Sequence, residues 1–214
     1  MCGVAGSASV PETGAEVLGR ALPDVSRETC QRLEAYAALL AKWQRTINLV
    51  GPGTLPEMWT RHFLDSAQLY PLLPQVTRVL VDLGSGAGFP GLVLAILGVP
   101  EVHLVESDSR KAAFLREAAR LAGAKVTVHP RRIEDIPHFT ADAVTARALA
   151  PLDSLLGLAE RFLGAGTLCL FPKGQNVDAE LTEATKAWRM RIERLPSLSD
   201  PQATVLRLSE ISRV

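Results

Sequence analysis

Apolar residues recur every three or four positions over 28–47, at Leu33, Tyr36, Ala37, Leu40 and Trp43, and that spacing predicts an amphipathic helix. Ser26 is placed to cap it, with Thr29 as the alternative, and the run Asn48-Leu-Val-Gly-Pro-Gly53 ends it. A second helix is predicted from Leu55 or Pro56 to about Leu73, carrying Trp59, Phe63, Leu64, Ala67 and Tyr70, with a break near Arg61 and a stop at Pro71 and Pro74. From Val79 onward the pattern changes. Short apolar runs at 79–83, 101–106, 125–129, 142–147 and 166–172 read as buried strands. Helical periods at 91–99, 109–122, 152–163 and 176–188 alternate with them. Two closing strands are predicted at 190–195 and 204–208. This order predicts an α/β fold built on a seven-stranded, mostly parallel sheet with right-handed crossovers. Residues 1–76 form a helical N-terminal extension laid against the sheet domain of residues 77–214, the two making one structural unit.

Composition narrows the picture without changing it. The 214 residues, 47% hydrophobic and 21% charged, suffice for one sizeable α/β domain with an appendage, soluble as a monomer or small oligomer. Net charge is zero, so any nucleic-acid face must be local. Cys2, Cys30 and Cys169 are odd in number and widely spaced, which suggests neither a disulfide framework nor a metal site and fits a reducing cytoplasm. Residues 1–11 lack the basic start and apolar core of a secretory signal and are expected to be frayed. The apolar run over 91–99 is too short to cross a bilayer, so no membrane partner is expected.

Candidate chemistry centres on Val79-Leu-Val-Asp-Leu-Gly-Ser-Gly-Ala-Gly-Phe-Pro-Gly91, a strand that runs through a glycine-rich turn into a helix. Gly84, Gly86 and Gly88 remove three Cβ atoms from one turn, and Asp82 leaves a carboxylate just before it, suited to the cationic end of an amino-acid-like ligand. Gly86 to Gly91 also satisfies the dinucleotide pattern G-x-G-x-x-G, but Pro90 offers no N–H to a phosphate. The whole motif is similar to the first motif of S-adenosylmethionine-dependent methyltransferases, with a nicotinamide-dependent oxidoreductase as the rival reading.

Glu106 ends the second strand at the distance expected of a ribose-binding acid, or is simply a strand end, while Asp108 either reaches the same region or caps the next helix. In the loop after the third strand, Ile133 can cover an adenine face and Glu134 can address its polar edge. Arg131 and Arg132 there are solvated charges or phosphate contacts. Arg147, at the end of the fourth strand, can pair with a ligand carboxylate or phosphate, or make an ordinary salt bridge. Arg110, Lys111, Arg116 and Arg120 share one helix and read as a solvated face or a local basic patch.

Taken together, Asn48-Leu-Val, Arg61-His-Phe-Leu-Asp-Ser66, the segment from Asp82 to Gly91, Arg110-Lys-Ala-Ala-Phe-Leu-Arg116, Ala146-Arg-Ala148 and Lys173-Gly174 carry a resemblance. The chain resembles the ribosomal small-subunit methyltransferase G family, also called glucose-inhibited division protein B (RsmG/GidB), from about Trp43 to Gly174. The resemblance implies a Rossmann-like methyltransferase fold. It also implies methyl transfer from S-adenosylmethionine to N7 of a guanine in the 530 loop of small-subunit ribosomal RNA, free or within the 30S subunit. Cofactor contacts carry over onto Gly84, Phe89, Ile133, Glu134 and Arg147, and onto the region of Glu106. N7 has a lone pair and no proton to lose, so no catalytic acid–base residue is expected. Asn48, Arg61, His62 and Lys173, with Arg147, are the candidates to hold the RNA, and His62 can equally be a locally packed histidine.

Overall fold

The computed structural model describes residues 13–214; the expectation for residues 1–11 lies outside them. Five parallel strands, β1 (Val79–Leu83), β2 (Glu101–Val105), β3 (Val126–His129), β4 (Ala143–Ala146) and β5 (Leu168–Lys173), are continued by an antiparallel pair, β6 (Trp188–Pro196) and β7 (Thr204–Arg213). The order across the sheet is β3-β2-β1-β4-β5-β7-β6. Connections run outward in opposite directions from β1 and β4, so a crevice opens at the carboxyl ends of those two strands.

Helices α4 (Gly91–Leu97) and α5 (Ser109–Leu121) cover one face, and α6 (Leu152–Ala159) and α7 (Val177–Ala184) cover the other. The N-terminal extension joins the first face: Leu33, Tyr36 and Leu40 of α2 (Arg27–Trp43) are buried in one cluster with Phe89, Leu92 and Phe114. Ser26 caps α2 by accepting from the Thr29 N–H. Among the described residues no helix is long and apolar enough to cross a membrane.

Departures from the predicted elements have local causes. A short helix α1 (Gly14–Gly19) precedes α2, started by a capping box in which Thr13 and Glu16 satisfy each other's backbone N–H groups. The helix predicted over 55–73, with a break near Arg61, is instead a π-helical segment (Trp59–Leu64) that runs through Arg61, a single α turn, α3 (Asp65–Ala67), and a 3-10 turn (Tyr70–Leu72). Trp188, predicted to end a helix, begins β6 instead; it pairs with Arg213, whose guanidinium lies 4.4 Å above the indole. That pairing also carries β7 past Leu208 to Arg213.

Candidate functional site

The glycine turn after β1 is shaped from beneath as well as from within. Gly84 and Gly86 take φ values of +62° and +56°, the left-handed region in which a Cβ is costly. A Cβ on Gly84 would lie 2.6 Å from Leu149, whereas one on Gly86 would meet nothing nearer than a carbonyl at 3.8 Å, so the Gly86 position faces open space. Gly88 serves another purpose. Its missing Cβ makes room for the Tyr36 hydroxyl, which donates to the carbonyl of Ala87 and ties α2 to the turn. Gly91 lets α4 sit directly on β1, where a Cβ would fall 2.5 Å from both Asp82 and Leu104.

Glu106 spans the mouth of this turn. One carboxylate oxygen accepts the Gly86 N–H at 2.9 Å and the other the Asp108 N–H at 2.8 Å. Each oxygen keeps a further lone pair for a ligand hydroxyl. Asp108 itself caps α5, accepting from the N–H groups of Arg110 and Lys111. Asp82 is fully enclosed between β1 and α4, and neither cavity described below has it in its wall. Thr145 donates to its Oδ1 at 2.8 Å, and Oδ2 has no partner. Burial raises its pKa to about 6, opposed in part by hydrogen bonds.

Two cavities meet over the turn. The smaller, about 310 Å³, is lined by Glu106, Ile133 and Glu134 with Gly84 and Gly86. Arg161 holds its far loop from behind, donating to the carbonyls of Glu134 and Ile136. The larger, about 790 Å³, is walled by Val50, Thr54, Arg61, His62, Phe89 and Lys173, and by Ser199 and Asp200 of the β6–β7 turn. Gly84, Gly86, Lys111, Arg147 and Leu149 belong to both cavities.

Arg147 is already engaged. Its guanidinium lies 5.1 Å over the Phe89 ring and donates to the Arg61 carbonyl at 2.9 Å, with Asp65 at 3.4 Å. Asp65 in turn accepts from Ser199 and Gln68, so one carboxylate joins α3, the end of β4 and the β6–β7 turn. Lys173 is nearly buried, donating to the Ala150 carbonyl at 2.9 Å and to Glu180 at 2.8 Å. His62 stacks on Phe89 with ring centroids 5.1 Å apart. Burial, then the charges of Arg147 and Arg61, lower its pKa to about 4, so it is neutral at physiological pH.

Of the residues singled out in the sequence, Gly84, Gly86, Phe89, Glu106, Ile133, Glu134, Arg147, Arg61, His62 and Lys173 come together in the two walls. Asp82 and Gly88 lie behind the turn, and Asn48 is exposed beside the larger cavity, where Gln44 holds the adjoining Leu49 and Val50 backbone. Asp65 and Leu149, which the sequence does not single out as site residues, line the crevice through contacts between distant segments, and Lys111, readable in the sequence only as part of a solvated face or local basic patch, lines it too.

The unfilled space above Gly86, the acid beside it and the apolar cover at Ile133 fit a nucleoside whose other end continues over Gly84 into the larger cavity. S-adenosylmethionine has that form. Solved structures with the same fold include an O-methyltransferase from Bacillus cereus in complex with S-adenosylhomocysteine, with a TM-score of 0.58 at 13% identity over 90% of this chain and 95% of that one. Another is the ribosomal protein L11 methylase of Lactobacillus delbrueckii, with a TM-score of 0.54 at 18% identity over 69% of this chain and 78% of that one. The fold is thus the Rossmann-like fold of the S-adenosylmethionine-dependent methyltransferases.

The family model for rRNA small subunit methyltransferase G matches residues 29–205. Proteins of that name from Rhodospirillum centenum and Rhodospirillum rubrum are 65% and 63% identical to the chain. Each alignment covers 88% of this chain, and 87% and 94% of the respective relatives. The chain belongs to the rRNA small subunit methyltransferase G family.

Proposed function

We propose that the chain methylates N7 of a guanine in small-subunit ribosomal RNA, working as a cytoplasmic monomer, with the cofactor's adenosine in the smaller cavity and the target base in the larger. S-adenosylmethionine supplies, when bound, a methyl group on a positively charged sulfur that a lone pair can attack directly. The observation that carries the base assignment is the state of His62. The histidine in the larger cavity's wall has Nε2 engaged by Thr54, Nδ1 enclosed by protein and its ring stacked on Phe89, which suits a wall that shapes the cavity and moves no proton. An attack by N7 makes no demand for a base. What remains for the protein is alignment and exclusion of water.

Each residue set has a part in that reading. Gly84 and Gly86 let backbone approach the cofactor, Glu106 takes its ribose hydroxyls, Ile133 and Glu134 its adenine, and Asp82 favours a positive charge above the turn from behind it. Phe89 and Arg147 border the place where the cofactor's sulfur end would meet the base, Lys173 lies on the crevice floor, and Arg61 and Asn48 border the entrance for RNA. Incubating the protein with purified small-subunit RNA and labelled cofactor, then analysing digested RNA by mass spectrometry, should give 7-methylguanosine at one position. RNA from cells lacking the protein should lack that mark; an intact mark there would refute the proposal.

A further inference from the structure

The basic residues around the crevice divide into those the fold has used and those it has left free. Arg147 and Lys173 are held by carbonyls and carboxylates on the crevice floor. On α5, Arg110 pairs with Asp108 and Arg120 with Glu117, both on the exposed side, and Arg116 reaches neither cavity. Lys111 is different. It is half-buried, lines both cavities, and its ammonium has no hydrogen-bond or ion-pair partner among the described residues. Arg131, on the same wall of the smaller cavity, is exposed and likewise unpartnered, and Arg132 reaches only Glu134, at 3.8 Å with both side chains exposed. Exposed pairs of that length neutralise little.

We propose that Lys111, Arg131 and Arg132 form a rim that binds the phosphates flanking the target nucleotide, so that RNA enters across the side of the crevice built by α5 and the loop after β3. The proposal rests on the RNA-methyltransferase reading above. A chain of zero net charge that keeps two unpartnered cations and a third only loosely paired along one rim has built a local field for a polyanion. The cofactor's single carboxylate would need one cation, and the exposed position of Arg131 and Arg132 suits a ligand lying outside the cavity. Lys111, lining both cavities, sits where the backbone of a nucleotide inserted into the larger cavity would pass.

Phosphate contacts are recognised by their salt dependence. For Lys111→Gln and for Arg131→Gln/Arg132→Gln, the slope of log KM for small-subunit RNA against log salt should fall by roughly 0.7 to 1 for each contact removed. Affinity for S-adenosylhomocysteine, measured by calorimetry, should stay within about twofold. Lys111→Arg should retain the wild-type slope, and Arg120→Gln, on the same helix but paired with Glu117, should not alter it. Unchanged slopes in both glutamine variants would overturn the rim. So would a loss of S-adenosylhomocysteine affinity at unchanged slope, which would assign Lys111 to the cofactor carboxylate. If the wild-type protein transferred no methyl group to this RNA, the function itself would fall, a result distinct from either of these.

Discussion

The Thr54 hydroxyl lies 2.8 Å from His62 Nε2 and 2.7 Å from the carbonyl of Gly51. A hydroxyl has one proton and a carbonyl can only accept, so Thr54 donates to Gly51 and accepts from His62. The ring therefore carries its proton on Nε2, and Nδ1 is left bare, buried and without a partner. In that state Nε2 has no lone pair for a proton, and the lone pair of Nδ1 is enclosed by protein. His62→Gln is expected to lower kcat for methyl transfer by less than about tenfold, because general-base catalysis, typically worth 100-fold or more, is absent. A fall of 100-fold or more in kcat at unchanged KM would show that the ring does move a proton.

Asp82 and His62 should tilt stability in opposite directions with pH. Burial raises the Asp82 pKa from 3.8 to about 6, so between those values the folded protein holds a proton that the unfolded chain has released. The resulting stability is complete below 3.8 and lost as pH rises through 6. For His62 the folded pKa falls from 6.5 to about 4, so the unfolded chain is the one that holds the proton, and stability is lost as pH drops through that window. In denaturant unfolding from pH 4 to 7, Asp82→Asn should gain on wild type as pH rises, and His62→Gln should lose. Each difference should change by something on the order of 2 to 3 kcal/mol. Profiles parallel to wild type would remove both effects.

What could be read from the sequence was whatever depends on near neighbours. The α2 stripe of Leu33, Tyr36, Ala37 and Leu40, the strand–turn–helix at Val79–Gly91 and the alternation of strands and helices each follow from short-range period and turn chemistry. The π-helical Trp59–Leu64 was not legible, because a helical period alone does not distinguish it from a regular turn. Trp188 continues the phase of Leu181 and Ala184, and only its pairing with Arg213 makes it a strand residue. The same limit governed the site. Gly88 reads as a ligand glycine until Tyr36 is seen to occupy its missing Cβ, and Lys173 reads as a free cation until Glu180 is seen beside it.

Gly84 and Gly86 have nearly the same φ but different neighbours, so replacing each with alanine should separate strain from occlusion. Both changes incur the cost of a positive φ, of order 1 kcal/mol or more. Gly84→Ala also drives a methyl group to 2.6 Å from Leu149, and Leu149→Ala should restore part of the lost stability. Gly86→Ala should unfold at nearly the temperature set by backbone strain alone, yet lose S-adenosylhomocysteine binding by 10-fold or more, since its methyl projects into open space. Equal affinity in Gly86→Ala and wild type would mean that the space above Gly86 is not where the cofactor lies.

Tyr36 links the N-terminal extension to the cofactor turn through a single hydroxyl. The ring is fully buried against Phe63, Phe89 and Phe114, and its O–H donates to the Ala87 carbonyl in the middle of the turn. Tyr36→Phe keeps the packing and removes only that donor, leaving a buried carbonyl unsatisfied at a cost of about 1 to 3 kcal/mol. Because the lost bond holds Ala87 between Gly86 and Gly88, the variant should also bind S-adenosylhomocysteine more weakly, and hydrogen exchange should rise at Gly86–Phe89. Were the link merely a packing contact, Tyr36→Phe would melt within a degree or two of wild type and the turn's exchange would be unaltered. The two outcomes decide whether residues of α2 act on the cofactor site from behind or simply cover it.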